Sequence, residues 1–154
     1  RRQRQMCIRD RDTATSDTKS IENEDVADEE TQAVMSLSDE QLNLLSKLVA
    51  AEARGESYEG QVAVAAVVLN RVKDSRFPDS IEGVIYQKNA FSVVRDGYIN
   101  AQPTEESYKA AKDALYGNDP TNDAIYFWNP DISTCNWINT LNPHLRIGNH
   151  VFAR

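Results

Sequence analysis

Cysteine is scarce in this 154-residue sequence: Cys7 and Cys135 are the only two, so there is no disulfide framework and no zinc-knuckle spacing. Cysteine usage therefore does not fix a compartment. Long apolar runs are missing too, and nothing approaches the ~18 consecutive apolar residues of a membrane span. A basic excess is lacking as well: 17 Lys and Arg stand against 24 Asp and Glu, which argues against nucleic acid as a partner. Residues 1–35 contain no aromatic residue, no glycine and no proline. With so little to bury, that stretch cannot offset the entropy of ordering and reads as disordered.

The division that follows is a tail over residues 1–36 and one domain over residues 37–154, a length that suits a single core. Within the tail, residues 1–11 carry five Arg against one Asp, and residues 17–30 carry seven acids against one Lys. The basic block precedes no apolar stretch, so it is no signal peptide, and its composition resembles a non-native scar. As a nucleic-acid-binding arm it would have much of its field cancelled by the adjoining acids. Residues 36–154 hold 11 basic and 15 acidic side chains, a net charge of −4.

Leu37-Ser38-Asp39-Glu40-Gln41-Leu42 is a strong helix start. Ser38 is the N-cap, Gln41 its capping-box partner, and Leu37 with Leu42 a hydrophobic staple. Leu42, Leu45, Leu48 and Val49 then form a one-sided stripe, and Gly55 ends the helix, giving a span of 38–53. A second segment from Ser57 or Tyr58 to Val72 is apolar on all sides between Val62 and Leu69. Its Val content suits a strand, but its Ala content and length favour a buried central helix. Ser80 caps a short helix through Tyr86. Phe91 to Asn100, with Asp96-Gly97 between apolar flanks, reads as a hairpin. Pro103-Thr104-Glu105-Glu106 opens another helix, which turns Tyr108, Ala111 and Leu115 inward and stops at Gly117. The remainder has short aromatic runs, Ile125 to Trp128 and His150 to Phe152, that suit short strands.

Glu52 lies three residues after Val49, four after Leu48 and seven after Leu45. It therefore falls in line with the apolar stripe. Burial among apolar groups disfavours a charged carboxylate, and a general acid must hold its proton near neutral pH. The competing structural role is an ion pair with Arg54 or Arg71. Glu59 fits the ordinary preference for an acid in a first helical turn, while Glu56 stays open. His144, His150 and Cys135 match no zinc spacing, and a lone Cys135 is a weak nucleophile candidate, so neither metal nor cofactor is expected. Tyr126, Phe127, Trp128 and Trp137, among several Asn, suit either core packing or stacking on sugar rings.

Ala51-Glu52-Ala53-Arg54-Gly55-Glu56, followed by Tyr58-Glu59-Gly60-Gln61 and the apolar run through Leu69-Asn70-Arg71-Val72, closely resembles the cell-wall hydrolases of the spore cortex-lytic type. Phe77-Pro78, Gly83-Val84-Ile85, Ala90-Phe91-Ser92, Ala124 to Pro130 and Ile147 to Phe152 stand in that family's order. The resemblance covers residues 42–154. It implies a small α+β domain of the lysozyme and lytic-transglycosylase kind, mainly helical with a short hairpin and short C-terminal strands. It implies action on the glycan strands of peptidoglycan, with Glu52 as the single catalytic acid/base. Glu56 matches a second family position and counts among the substrate-binding candidates. Phe91, Ser92, Tyr126, Asn129 and His150 are groove-wall candidates, with Ser92 and Tyr126 as hydrogen-bond donors to sugar.

The implied chemistry is intramolecular transglycosylation, since the substrate supplies its own hydroxyl and no second carboxylate is needed. Hydrolysis by the same Glu52 is the alternative, and a non-catalytic wall-binding module is the rival from another class. A peptide-bond amidase would need a metal or a nucleophile dyad. The expected setting is a monomer exported to the cell envelope or spore cortex, although the sequence shows no export signal.

Overall fold

The computed structural model describes residues 33–154 except 89, 134 and 135. The basic and acidic blocks up to residue 32, and both Cys7 and Cys135, lie outside the described residues. The first helix, α1, spans Asp39–Glu52, and its start is built as the sequence indicates. Ser38 Oγ accepts from the Gln41 backbone N–H at 3.1 Å, and Gln41 Oε1 accepts from the Ser38 N–H at 2.9 Å. Two orphan helix donors are thereby satisfied. Leu42, Leu45, Leu48, Val49 and Glu52 are all buried on the inward side.

Helix α2, Tyr58–Lys73, is the centre of the domain: every residue from Gly60 to Arg71 is buried. Its alanines admit close neighbours, and α1, the later helix over Glu105–Leu115 and the sheet pack around it. Near its C-terminal end, Asn70 Nδ2 donates to the Ala124 carbonyl at 2.9 Å and Arg71 Nε to the Ile125 carbonyl at 2.8 Å. These bonds fix the approach to the first strand. Ser80 caps α3, Ile81–Ile85, by accepting from the Gly83 N–H at 2.9 Å.

The hairpin expected over Phe91 to Asn100 is not formed. Ser92–Asp96 is instead a short helix, α4, which Gly97 ends at φ +86°, followed by a 3₁₀ turn over Tyr98–Asn100. An Asp-Gly hairpin turn and a left-handed helix C-cap both demand a positive-φ glycine, so the dipeptide serves either. Helix α5, Glu105–Leu115, starts at the Thr104 cap, and Gly117 follows it with φ +105°. Ala111 and Leu115 are inward as expected, in a stripe with Ser107, Ala110 and Ala114. Tyr108 is not inward: it lies one position off that stripe, 39% exposed, with Lys112 Nζ 5.8 Å from its ring centroid. Tyr58 ties α2 to α5 through a short hydrogen bond from its hydroxyl to Asp113 Oδ2. Burial and that carboxylate push the Tyr58 phenol up to about 12.

The strands are β1, Tyr126–Trp128, β2, Leu145–Ile147, and β3, His150–Ala153. They form an antiparallel sheet in the order β1-β3-β2, with Phe127 opposite Phe152 and Ile147 opposite His150. The hairpin of this domain is therefore β2–β3, turned at Gly148-Asn149 with Gly148 at φ +61°. The architecture is the mainly helical α+β one expected.

Candidate functional site

A cleft of about 510 Å³ opens where four parts of the chain meet. The end of α1 and the turn after it supply Glu52, Arg54 and Glu56; α4 and the 3₁₀ turn supply Ser92, Asp96 and Tyr98. Asn129 and Ile132 follow β1, and Asn149 and His150 come from the β2–β3 hairpin. Glu52 is the last residue of α1 and only 2% exposed, so the stripe that builds the core also carries this carboxyl to the cleft. Helix periodicity sets its direction.

His150 opens β3 and is 2% exposed. Its ring meets Phe127 edge to face at 5.1 Å, and its buried Nδ1 has no hydrogen-bond partner among the described residues. Burial lowers its pKa below the ordinary histidine value, and the Glu56 carboxylate partly offsets that. Asn129 Oδ1 accepts from the Asp131 N–H at 2.9 Å, which holds the loop after β1. Glu56 reaches across the cleft to the hairpin turn, its Oε2 accepting from Asn149 Nδ2 at 3.1 Å.

The cleft thus brings together Glu52, Glu56, Ser92, Asn129 and His150. Phe91 and Tyr126 are placed elsewhere: both are buried in the core behind the cleft, flanking the guanidinium of Arg71. Arg71 is the largest fully buried side chain, with its guanidinium carbon 4.5 Å from the Phe77 ring centroid. Burial pushes it down to about 9, still protonated at neutral pH, and the Glu52 carboxylate is among the charges that favour its protonation. Of the aromatic group, Tyr126, Phe127 and Trp128 are buried and Trp137 packs against the core, so none of the four lines the cleft, where Tyr98 stands 57% exposed.

A hairpin over residues 91–100 gives Asp96 and Tyr98 no place at a site, whereas as helix and 3₁₀ turn they face the cleft with Ser92. Asn149 lay within a matched block but gave no signal of its own, because its partner Glu56 is 93 residues away. Among the described residues no group of three His, Cys, Asp or Glu side chains converges to hold a metal. No helix among them is long and apolar enough to cross a membrane. His144 lies apart from His150, its Nε2 2.8 Å from the Thr121 carbonyl.

Comparison with known proteins gives this geometry a context. The chain is 46% identical over 113 residues to a spore cortex-lytic enzyme of Oceanobacillus iheyensis, covering 73% of this chain and 41% of that protein. It therefore spans about two fifths of that curated relative's length. Its fold superposes on the catalytic domain of the Bacillus cereus SleB protein with a TM-score of 0.73 and 45% identity, covering 77% of this chain and 93% of that one. The catalytic domain of the germination-specific lytic transglycosylase SleB from Bacillus anthracis gives 0.74 and 45%, covering 77% and 97%. Residues 55–153 match the Cell Wall Hydrolase family, and the chain belongs to that family.

Proposed function

We propose that residues 37–154 form a catalytic domain that cleaves peptidoglycan glycan strands between N-acetylmuramic acid and N-acetylglucosamine, as a lytic transglycosylase with Glu52 as its single acid/base. The carrying observation is Glu52 itself, a nearly inaccessible carboxyl at the end of a core helix that lines the cleft. A buried carboxyl that lines a cleft is where a general acid is expected. Family membership and likeness to a protein described as a lytic transglycosylase support the same reading.

In the first step the Glu52 carboxyl gives its proton to the glycosidic oxygen as the bond to muramic C1 breaks and its electron pair passes to that oxygen. The Glu52 carboxylate then takes the proton of the muramic 6-hydroxyl, whose oxygen attacks C1. A 1,6-anhydromuramic end and a free N-acetylglucosamine hydroxyl result, with no water consumed and Glu52 reprotonated. Ser92, Asn129 and His150 line the groove and offer hydrogen bonds to sugar. The setting that fits this substrate is the cell envelope or spore cortex, with the enzyme acting as a monomer.

One observation favours a second reading. Asp96 places another carboxylate in the same cleft, and a second carboxylate is what a water-activating muramidase uses. Digestion of purified sacculi followed by mass spectrometry of the muropeptides separates the two. Anhydromuramic ends support transglycosylation, reducing ends support hydrolysis, and freed stem peptides or an unchanged sacculus overturn both.

A further inference from the structure

Glu56 lies at the cleft, four residues after Glu52, yet its bonding is unlike that of a base awaiting substrate. Both carboxylate oxygens face the turn of the β2–β3 hairpin: Oε2 accepts from Asn149 Nδ2 at 3.1 Å, and Oε1 from the Asn149 backbone N–H at 3.4 Å. Oε1 also presses against Gly148 so closely that a Cβ there would overlap it. The glycine permits the approach as well as the φ of +61°. Glu56 is anchored on its own side too, with its N–H donating to the Ala53 carbonyl at 2.9 Å and its carbonyl accepting from Gln61 Nε2 at 3.3 Å. The contact spans 93 residues and joins opposite sides of the cleft.

The residue after Asn149 is His150, which lines the cleft and whose buried Nδ1 has no hydrogen-bond partner among the described residues. Ile147 pairs with His150 across the two-residue turn, so the Gly148-Asn149 turn and the imidazole belong to one short hairpin.

We propose that Glu56 is a positioning residue: its carboxylate clasps the Gly148-Asn149 turn and thereby fixes the His150 imidazole against the glycan strand. This rests on the glycan-cleaving reading of the cleft. It removes Glu56 from the set of groups that bind sugar or activate water. Of the carboxylates that line the cleft, Glu52 and Asp96 are then left for chemistry, with Arg54 as the cation among them.

The test compares Glu56→Gln, Glu56→Ala, Asn149→Ala and Gly148→Ala in sacculus cleavage, alongside NMR titration of the His150 imidazole without substrate. Gln keeps one acceptor oxygen, so Glu56→Gln is expected to retain kcat/KM within about 3-fold, while Glu56→Ala and Asn149→Ala each lose about 10-fold, chiefly in KM. The Glu56→Ala/Asn149→Ala double variant is expected to be no worse than either single one, as for two ends of one contact. Gly148→Ala keeps the Glu56 side chain but forces it off the turn, and is expected to match Asn149→Ala. In Glu56→Gln the His150 titration should move to lower pH, since the carboxylate that opposes the effect of burial is gone. A kcat loss of about 100-fold in Glu56→Gln with Asn149→Ala near wild type would overturn the proposal, as would additive losses. If Glu56→Ala does not fold, Glu56→Gln and Gly148→Ala still decide. A wild-type protein inert on sacculi whose His150 titration still responds to Glu56→Gln and Gly148→Ala refutes the glycan-cleaving reading alone.

Discussion

Exchanging Glu52 for Gln separates catalysis from stability, because the two side chains have nearly equal volume and the site is closed to solvent. The amide cannot give or take the proton, so cleavage is expected to fall by about 10²–10⁴-fold, the usual contribution of a general acid/base. At 1.36 kcal/mol per decade, that is roughly 3–5 kcal/mol of lost transition-state stabilisation. Folding should lose less than an emptied core site does, because Gln keeps the volume and a hydrogen-bonding oxygen and gives up only the charge that favours protonation of Arg71. Leu45→Ala on the same stripe is the counterpart, since Leu45 is fully buried in the hydrophobic core. Emptying such a site costs about 3–5 kcal/mol and lowers Tm by roughly 10–20 °C, while activity well below Tm should stay near wild type. Thermal unfolding by circular dichroism and clearing of a sacculus suspension read the two properties independently. If Glu52→Gln drops Tm as far as Leu45→Ala and still clears sacculi at a tenth of the wild-type rate or faster, Glu52 is a structural residue and the mechanism is wrong.

Three further expectations follow from local geometry. Ser38→Ala removes the oxygen that caps α1 and should cost about 1 kcal/mol in urea unfolding; an unchanged midpoint would mean that Gln41 alone holds the helix start. Gly83→Ala sets a Cβ 2.7 Å from Pro78 Cβ and 2.9 Å from Ser80 Oγ, an overpacking expected to cost about 1–3 kcal/mol, and a more stable variant would contradict it. His150 is held below its ordinary pKa in the folded state, so the unfolded chain takes up the proton first. The stability from a neutral His150 is therefore complete above about pH 6.5 and is lost as pH falls through the folded pKa. Urea midpoints at neutral and mildly acidic pH should diverge in wild type and less so in His150→Gln, and equal slopes would exclude His150 as the source.

Features governed by nearby residues were legible in the sequence. Ser38 and Gln41 are three apart, the stripe from Leu42 to Glu52 repeats within one helix, and Ser80 caps its own next turn. Glu52 was found this way, since its direction depends only on helix period. Where one local signal serves two structures, as at Asp96-Gly97, packing that no local pattern contains makes the choice, so Ser92 is legible as a cleft-wall residue while Asp96 and Tyr98 are not. Tyr108 shows the same limit from the side of burial: the inward face of α5 is set by its small residues against α2, and the ring is left outside. Phe91 and Tyr126 were read beside the sugar-facing groups, but a buried guanidinium draws their rings into the interior. The pairing of Glu56 with Asn149 is wholly tertiary.

The place of β3 bears on how the domain is made. It follows every other described element along the chain, yet it lies between β1 and β2 and carries His150. During synthesis the helices emerge first and can gather around α2, while β1 stays without its neighbour until the last strand has been added. The nascent domain therefore spends that interval with an unsatisfied strand and an unfinished cleft, whose His150 wall is set only when β3 has paired.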